Sequence, residues 1–126
     1  MADKIVVKRS KDNIIMFTFE KVTNVKMMMW EQSFRKAVET LNGADFYVIC
    51  VMVDPLTPEQ KQILDRIQQY AVTKGLVRSA VIADAILTGA MRRMAQQTGV
   101  IEKEHYFSND DPQCMQKATE WVLRAQ

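Results

Sequence analysis

The chain of 126 residues contains few of the side chains that metal centres and histidine-dependent catalytic sites require. It has two cysteines, Cys50 and Cys114, a single histidine, His105, and no Cys-x-x-Cys pair. A structural zinc site takes about four nitrogen or sulfur ligands, and a catalytic triad needs a histidine beside its nucleophile. The composition therefore disfavours both kinds of site. We expect no metal and no other cofactor, and we expect both cysteines to be reduced thiols of the core.

The chain also lacks a strong charge excess and a long apolar run. Its 17 basic and 15 acidic residues give a net charge of +2, and the short basic groups at residues 8–11 and 92–93 contain no aromatic residues. Nucleic-acid binding through a basic stripe is therefore disfavoured. No run approaches the roughly 20 apolar residues of a membrane span, and the charged residues 1–8 do not resemble a signal peptide. We expect a cytoplasmic protein with no nucleic-acid partner and no membrane span.

What the chain does contain is the composition of one soluble domain over residues 1–126, with 48% hydrophobic and 25% charged residues. Its most informative stretch is residues 46–60, FYVICVMVDPLTPEQ. The apolar run ends at Asp54, and a helix start follows in which Thr57 is the N-cap and Gln60 completes a capping box. Pro58 occupies the first helical position, where proline is favoured. The pattern predicts a buried parallel strand that leads into a helix.

The remaining segments alternate between strand and helix patterns. Two apolar runs separated by polar turn residues predict an opening hairpin. The predicted strands cover residues 4–8, 13–20, 46–53, 77–83 and 104–107, and a helix pattern follows each of the last four. The helices are expected to begin near Asn24, at Thr57, at Asp84 and after Pro112. The order β-β-α-β-α-β-α-β-α predicts an α/β fold in which four helices pack on a mixed, mostly parallel sheet of about five strands.

Three sequence segments carry a resemblance to a known family. They are VICVMVD running into TPEQ, RSAVIAD, and the ending HYFSNDDPQCMQKATEWVL. With this order of elements the chain resembles the SpoIIAA-like group of the STAS superfamily, whose last helix ends in Trp-Leu or Trp-Val-Leu. The residues that match that ending are Ala118, Trp121, Val122 and Leu123. The resemblance implies a STAS-like fold, a bacterial source and a protein-interaction module rather than an enzyme.

The resemblance also identifies a candidate interaction segment, which is Asp54, Pro55, Leu56 and Thr57. In bacterial anti-sigma-factor antagonists of this fold, the phosphorylated serine lies here in an Asp-Ser-Ser-Gly-type segment. Asp54 matches the acid of that pattern, but no serine or glycine follows it. Thr57 offers the one hydroxyl, and a helix cap is sufficient to account for it. The alternative is that Thr57 is the phosphoacceptor, since a phosphate at a helix N-terminus is electrostatically favourable. The segment therefore favours partner binding over a phosphorylation switch.

A second candidate surface comes from the methionines, of which the chain has nine. Because thioether side chains repack easily, they line adaptable pockets and partner surfaces. In the helix that follows the hairpin, Met27 is expected to face the core and Met28 to be partly exposed. The candidate apolar surface for a ligand or a partner consists of Met27, Met28, Trp30 and Met91.

Two carboxylates allow an enzymatic alternative, which we do not favour. Asp54 and Asp84 both end predicted parallel strands, where ligands usually bind in open α/β sheets. They could hold Mg²⁺ or act as an acid and a base, but aspartate is common in turns and caps for structural reasons. The sequence therefore predicts a non-enzymatic regulatory module that binds a protein partner. The alternative is a carrier or sensor of a small apolar or lipid-like ligand, and the exposed methionines also allow a homodimer.

Overall fold

The computed structural model describes residues 8–9, 13–98 and 104–124. These residues form four helices, four parallel strands and one two-residue strand. The strands are β1 (Lys8–Arg9), β2 (Ile14–Phe19), β3 (Phe46–Met52), β4 (Leu76–Ala83) and β5 (Glu104–Ser108). The helices are α1 (Asn24–Glu39), α2 (Pro58–Lys74), α3 (Ala85–Thr98) and α4 (Cys114–Val122). The predicted α/β fold is confirmed for this part of the chain.

The strands lie side by side in the order in which they occur along the chain, β1-β2-β3-β4-β5. Strands β2 to β5 are parallel, and β1 is antiparallel to β2. Of the first strand predicted from the sequence, at residues 4–8, only Lys8 falls within the described residues. A full fifth strand therefore stays a prediction, supported by the pairing of Lys8 with Met16.

The strand order decides on which side the helices lie. Connections between adjacent parallel strands are right-handed, so successive crossovers that advance in one direction leave their helices on the same face. Apolar residues of α1, α2 and α3 accordingly form one cluster with the sheet, which we call the main core. The chain leaves β5 at the sheet edge, and α4 returns across the opposite face. There Ala118 and Val122 pack on Ile14, Ile49 and Ile82 in a second core.

Burial on both faces accounts for the nearly continuous apolar sequence of β3. Alternate side chains of a strand point to opposite faces. Val48, Cys50 and Met52 accordingly lie in the main core, while Ile49 lies in the second core. Both cysteines are free, and Cys114 packs against the second core, so the two thiols lie on opposite faces of the sheet.

The helix boundaries follow from local capping chemistry. Helix α1 begins after Thr23, whose side chain accepts a hydrogen bond from the backbone N–H of Lys26 at 3.1 Å. Thr23, the residue before Asn24, is therefore the N-cap of α1. Helix α2 ends at Gly75, which has a left-handed φ of 119°. A Cβ atom at Gly75 would lie 2.9 Å from the carbonyl oxygen of Ala44, so only glycine fits this position. Among the described residues, no helix is both long enough and apolar enough to cross a lipid bilayer.

Candidate functional site

The carboxyl ends of the parallel strands place three chain segments side by side. Phe19 pairs with Met52 at the ends of β2 and β3, and Val51 pairs with Ile82 near the ends of β3 and β4. The segments that follow these strands, residues 20–25, 53–57 and 84–86, therefore share one margin of the sheet, which we call the strand-end edge. Ligand and partner sites of open α/β sheets usually lie in this position.

The two strand-end aspartates bind backbone amides of this edge. Oδ2 of Asp54 accepts a hydrogen bond from the backbone N–H of Lys21 at 2.8 Å, which joins the β2 and β3 segments. Oδ1 of Asp84 accepts one from the backbone N–H of Leu87 at 2.7 Å and caps α3. Within the described part of the chain, no group of three or more His, Cys, Asp or Glu residues could hold a metal ion. The turn and cap roles preferred from the sequence agree with these contacts.

Thr57 forms the capping box that the sequence predicts. Its hydroxyl oxygen accepts from the backbone N–H of Gln60 at 3.2 Å, and the Gln60 side chain accepts from the backbone N–H of Thr57 at 3.1 Å. Gln60 is itself buried, and its Nε2 donates to the carbonyl oxygen of Val22 and to Oδ1 of Asn24. This side chain therefore fixes the start of α2 against the start of α1, so two of the three edge segments are held together.

Apolar side chains stand exposed along the same edge. Ile86 is 87% exposed at the start of α3, Val25 is 66% exposed at the start of α1, and Val53 is 46% exposed after β3. Pro55 is also exposed, whereas Leu56 is partly buried against the main core. Scattered apolar residues on a surface are ordinary, but several on one margin of the sheet form a candidate contact surface. The edge thus combines a fixed backbone with an apolar exterior.

A second candidate site lies inside the main core. A cavity of about 30 Å³ sits between the sheet and helices α1, α2 and α3. Its wall is mostly apolar, and the side chains with polar atoms in the wall come from Trp30, Cys50, Gln68 and Ser79. An engineered apolar cavity of about 150 Å³ accommodates benzene. In this conformation the cavity is therefore too small for a lipid chain.

Trp30 supplies the unusual feature of this cavity. Its side chain is 1% exposed and packs among the rings of Phe17, Phe19 and Phe34, with centroid distances of 5.0, 5.1 and 5.5 Å. The buried indole Nε1 finds no hydrogen-bond partner among the residues that the structure describes. Buried tryptophan N–H groups usually have a partner, because leaving such a donor unpaired costs on the order of 1–3 kcal/mol.

A buried carboxyl group lies beside the cavity wall. Nε2 of Gln68 donates to Oε1 of Glu104 at 2.5 Å, and the hydroxyl of Tyr106 donates to Oε2 of the same group. Burial raises the pKa of the Glu104 carboxyl, and the hydrogen bonds from Tyr106 and Gln68 partly oppose that increase. Burial also raises the pKa of the Cys50 thiol, and the charge of Glu104 adds to the increase. Cys50 is therefore a protonated, inert thiol rather than a nucleophile.

The structure separates the four residues predicted to form one apolar ligand surface. Trp30 and Met91 both line the cavity. Met27 is fully buried in the main core, and Met28 is exposed on the outside of α1. Met28 therefore belongs to the exterior, together with Met29, as the helical spacing predicts.

His105 occupies the edge strand β5, and its side chain is exposed. Its ring stacks on Trp121 of α4 at a centroid distance of 5.2 Å. Partial burial lowers the pKa of His105, and the nearby charges of Arg92 and Arg124 add to the effect. These contacts describe a packing role at the margin of the second core.

Sequence reasoning missed several residues of both sites. Ile86 could have been found, because it lies outside the apolar stripe that Leu87 and Met91 form on α3. Gln68 and Glu104 come together across 36 positions of the chain, and no local pattern signals such a contact. Buried cavities carry no sequence signature at all, because their volume depends on how side chains from separate elements meet.

Comparisons of the chain with protein-family models, with curated proteins and with solved structures found no match. The geometry of the strand-end edge and of the cavity is therefore the basis for a functional proposal.

Proposed function

We propose that this protein is a non-enzymatic, STAS-like module that binds a protein partner through the strand-end edge. The observation that carries the proposal is the exposure of Ile86, Val25 and Val53 along one margin of the sheet. Burying apolar side chains against a partner is the main favourable term in protein association. No chemistry is required of the edge, since Asp54 and Asp84 are engaged with backbone amides there.

The fixed backbone of the edge favours binding. A partner that docks on an ordered surface loses less conformational entropy than one that must first order a loop. The hydrogen bond from Lys21 to Asp54 and the contacts of Gln60 hold the segments after β2 and β3 in place. The apolar side chains are thus presented on a preorganised surface.

The element order supports the proposed relationship to the SpoIIAA-like group. Four parallel strands follow one another in sequence order, and the final helix carries Trp121 and Val122 in the matching ending. The short strand β1 supports a fifth strand at the start. A cytoplasmic location and a bacterial source belong to the same proposal, as does a homodimer in which the partner is a second copy of the chain.

The contacts of Thr57 favour constitutive binding over a phosphorylation switch. Its hydroxyl oxygen already accepts a hydrogen bond from the backbone N–H of Gln60 in a complete capping box. A cap of this kind is sufficient to account for a threonine before Pro58. We therefore propose that the segment from Asp54 to Thr57 contributes shape and apolar contact to the edge.

Site-specific photo-crosslinking tests the proposal. A photoreactive residue at position 86 is expected to capture a partner, whereas the same residue at position 72 is not. Val72 is also exposed, at 46%, but it lies near the end of α2, away from the strand-end edge. The captured protein is then purified, and its affinity for the unmodified chain is measured by calorimetry.

The crosslinking and binding measurements can support the proposal, identify the partner as a second copy of the chain, or contradict the proposal. An adduct obtained at position 86 alone, together with saturable binding of the purified protein, supports the proposal. If the captured protein is this same chain and the free protein is a dimer by light scattering, the partner is a second copy. Equal capture from positions 86 and 72, or no saturable binding by the purified protein, contradicts the proposal.

A further inference from the structure

The cavity in the main core has a mostly apolar wall, and one of its residues carries a buried hydrogen-bond donor without an acceptor. Trp30 forms part of the wall, and its Nε1 is the one buried side-chain polar atom without a hydrogen-bond partner among the described residues. Since buried polar groups are nearly always hydrogen-bonded, such a donor calls for an explanation. An acceptor from outside the described chain, placed in the adjoining cavity, provides one.

We propose that this cavity binds a small neutral molecule with one acceptor oxygen, of the class of short-chain alcohols, ketones and aldehydes. The oxygen accepts a hydrogen bond from Nε1 of Trp30, and the apolar remainder contacts side chains such as Leu64, Ile67 and Met91. This ligand site is separate from the strand-end edge, and it does not depend on a protein partner.

The cavity volume limits the size of the ligand. A single water needs roughly 10–15 Å³, and benzene fits a cavity of about 150 Å³. The observed volume of about 30 Å³ lies between these limits. A molecule of roughly two to four non-hydrogen atoms therefore matches the space without a large rearrangement of the helices.

The wall chemistry requires a neutral ligand. No Lys, Arg, Asp or Glu side chain is among the described residues that line the cavity. An ion placed there would lose its hydration without a counter-charge in the wall itself, which is strongly unfavourable. The buried Glu104 carboxyl beside the wall already accepts hydrogen bonds from Gln68 and Tyr106. Cys50 stays protonated because burial raises its pKa, so the proposed site holds its ligand without covalent attack.

The polar contacts of the wall favour an acceptor rather than a donor. Nε2 of Gln68 already donates a hydrogen bond to Glu104, and this bond holds the Gln68 amide at the wall. The unpaired group is the N–H of Trp30, which can only donate. A ligand without an acceptor oxygen would leave the donor unpaired and would bind more weakly.

Nuclear magnetic resonance of the two indole N–H groups provides a direct test. The full chain contains Trp30 and Trp121, which lie on opposite faces of the sheet. In a titration of the ¹⁵N-labelled protein with acetone, the Trp30 indole signal should shift and saturate, while that of Trp121 should not. Trp30→Phe and Trp121→Phe assign the two signals. A dissociation constant tighter than about 10⁻⁵ M is not expected for so small a ligand.

A matched probe separates hydrogen bonding from simple filling of space. Isobutene has the shape of acetone without its oxygen, so it should bind more weakly and should not produce the downfield shift of the Trp30 indole proton that a hydrogen bond to acetone produces. Ala71→Val places two methyl groups at the cavity wall and should weaken acetone binding at least tenfold, with circular dichroism confirming that the variant is folded.

Three outcomes would overturn the ligand site. The first is a Trp30 signal that does not move at any acetone concentration the protein tolerates. The second is a shift that grows linearly and equally for Trp30 and Trp121, as a general solvent effect would. The third is an equal downfield shift of the Trp30 indole proton with isobutene, which would show that acetone forms no hydrogen bond with this donor. The probe comparison uses the unaltered chain, so it remains decisive even if Ala71→Val fails to fold.

Discussion

At the residue scale, Glu104 is the least expected side chain of the molecule. Its carboxyl group is buried, and Tyr106 and Gln68 both donate to it. The neighbouring charge of Asp65 raises its pKa further, while that of Lys61 lowers it, and desolvation is the largest influence. Glu104 is therefore a carboxyl group that burial keeps closer to its neutral form.

The raised pKa of Glu104 gives a signed prediction for stability. The folded state binds the proton of the Glu104 carboxyl more tightly than the unfolded state does. The contribution of Glu104 to the free energy of unfolding therefore falls as pH rises from its unfolded pKa through its folded pKa. We expect Glu104→Gln to increase the free energy of unfolding at pH 7 relative to the unaltered chain. Below about pH 4, where the carboxyl is protonated in both states, this gain should disappear.

Urea unfolding at about pH 3 and at about pH 7 measures that difference. The amide is isosteric with the protonated carboxyl and can keep both partners, because the Tyr106 hydroxyl can accept as well as donate. Glu39→Gln is a comparison that changes the same residue type at the exposed end of α1, outside the buried cluster of Gln68, Glu104 and Tyr106. A Glu104→Gln variant that is less stable than the unaltered chain at pH 7 would show that the ionised carboxylate contributes favourably to folding.

At the element scale, the start of α2 depends on the Thr57 capping box. The hydroxyl satisfies one of the N–H groups that a helix leaves unpaired at its first turn, and the Gln60 side chain satisfies another. Because this cap also orients the edge segment, it connects helix stability to the proposed contact surface.

Replacing the cap residue should have a graded effect. Thr57→Ala is expected to lower the free energy of unfolding by about 1 kcal/mol, within a range of roughly 0.5–2 kcal/mol. Thr57→Ser keeps the hydroxyl and should lose much less. Denaturant unfolding of the three proteins provides the measurement, and equal stability of Thr57→Ala and Thr57→Ser would contradict the capping role.

The elements also show what local sequence patterns can and cannot predict. The box at Thr57 and the stop at Gly75 were predictable because each depends on a few neighbouring residues. The side of the sheet on which α4 packs was not, because its sequence indicates only an apolar stripe. That placement follows from the position of β5 at the edge and from the apolar residues left uncovered on the second face.

At the scale of the whole molecule, the sequential strand order concentrates three helices on one face. This arrangement forms the main core and aligns the starts of α1, α2 and α3 along the strand-end edge. The sequence predicted the order of elements and the position of this edge after Asp54. It could not predict the cavity or the buried Glu104 cluster, since both depend on contacts between distant segments.

The central claim is that the strand-end edge binds a protein partner, and a pair of valine substitutions tests it most directly. Val53 and Val72 are equally exposed, at 46%, but only Val53 belongs to the edge. Val53→Asp should weaken binding of the captured partner roughly tenfold or more, because a charge in an apolar contact must be desolvated. Val72→Asp should leave the affinity unchanged, with thermal unfolding confirming that both variants are folded. Equal affinities for the two variants, or a larger loss for Val72→Asp, would contradict the claim.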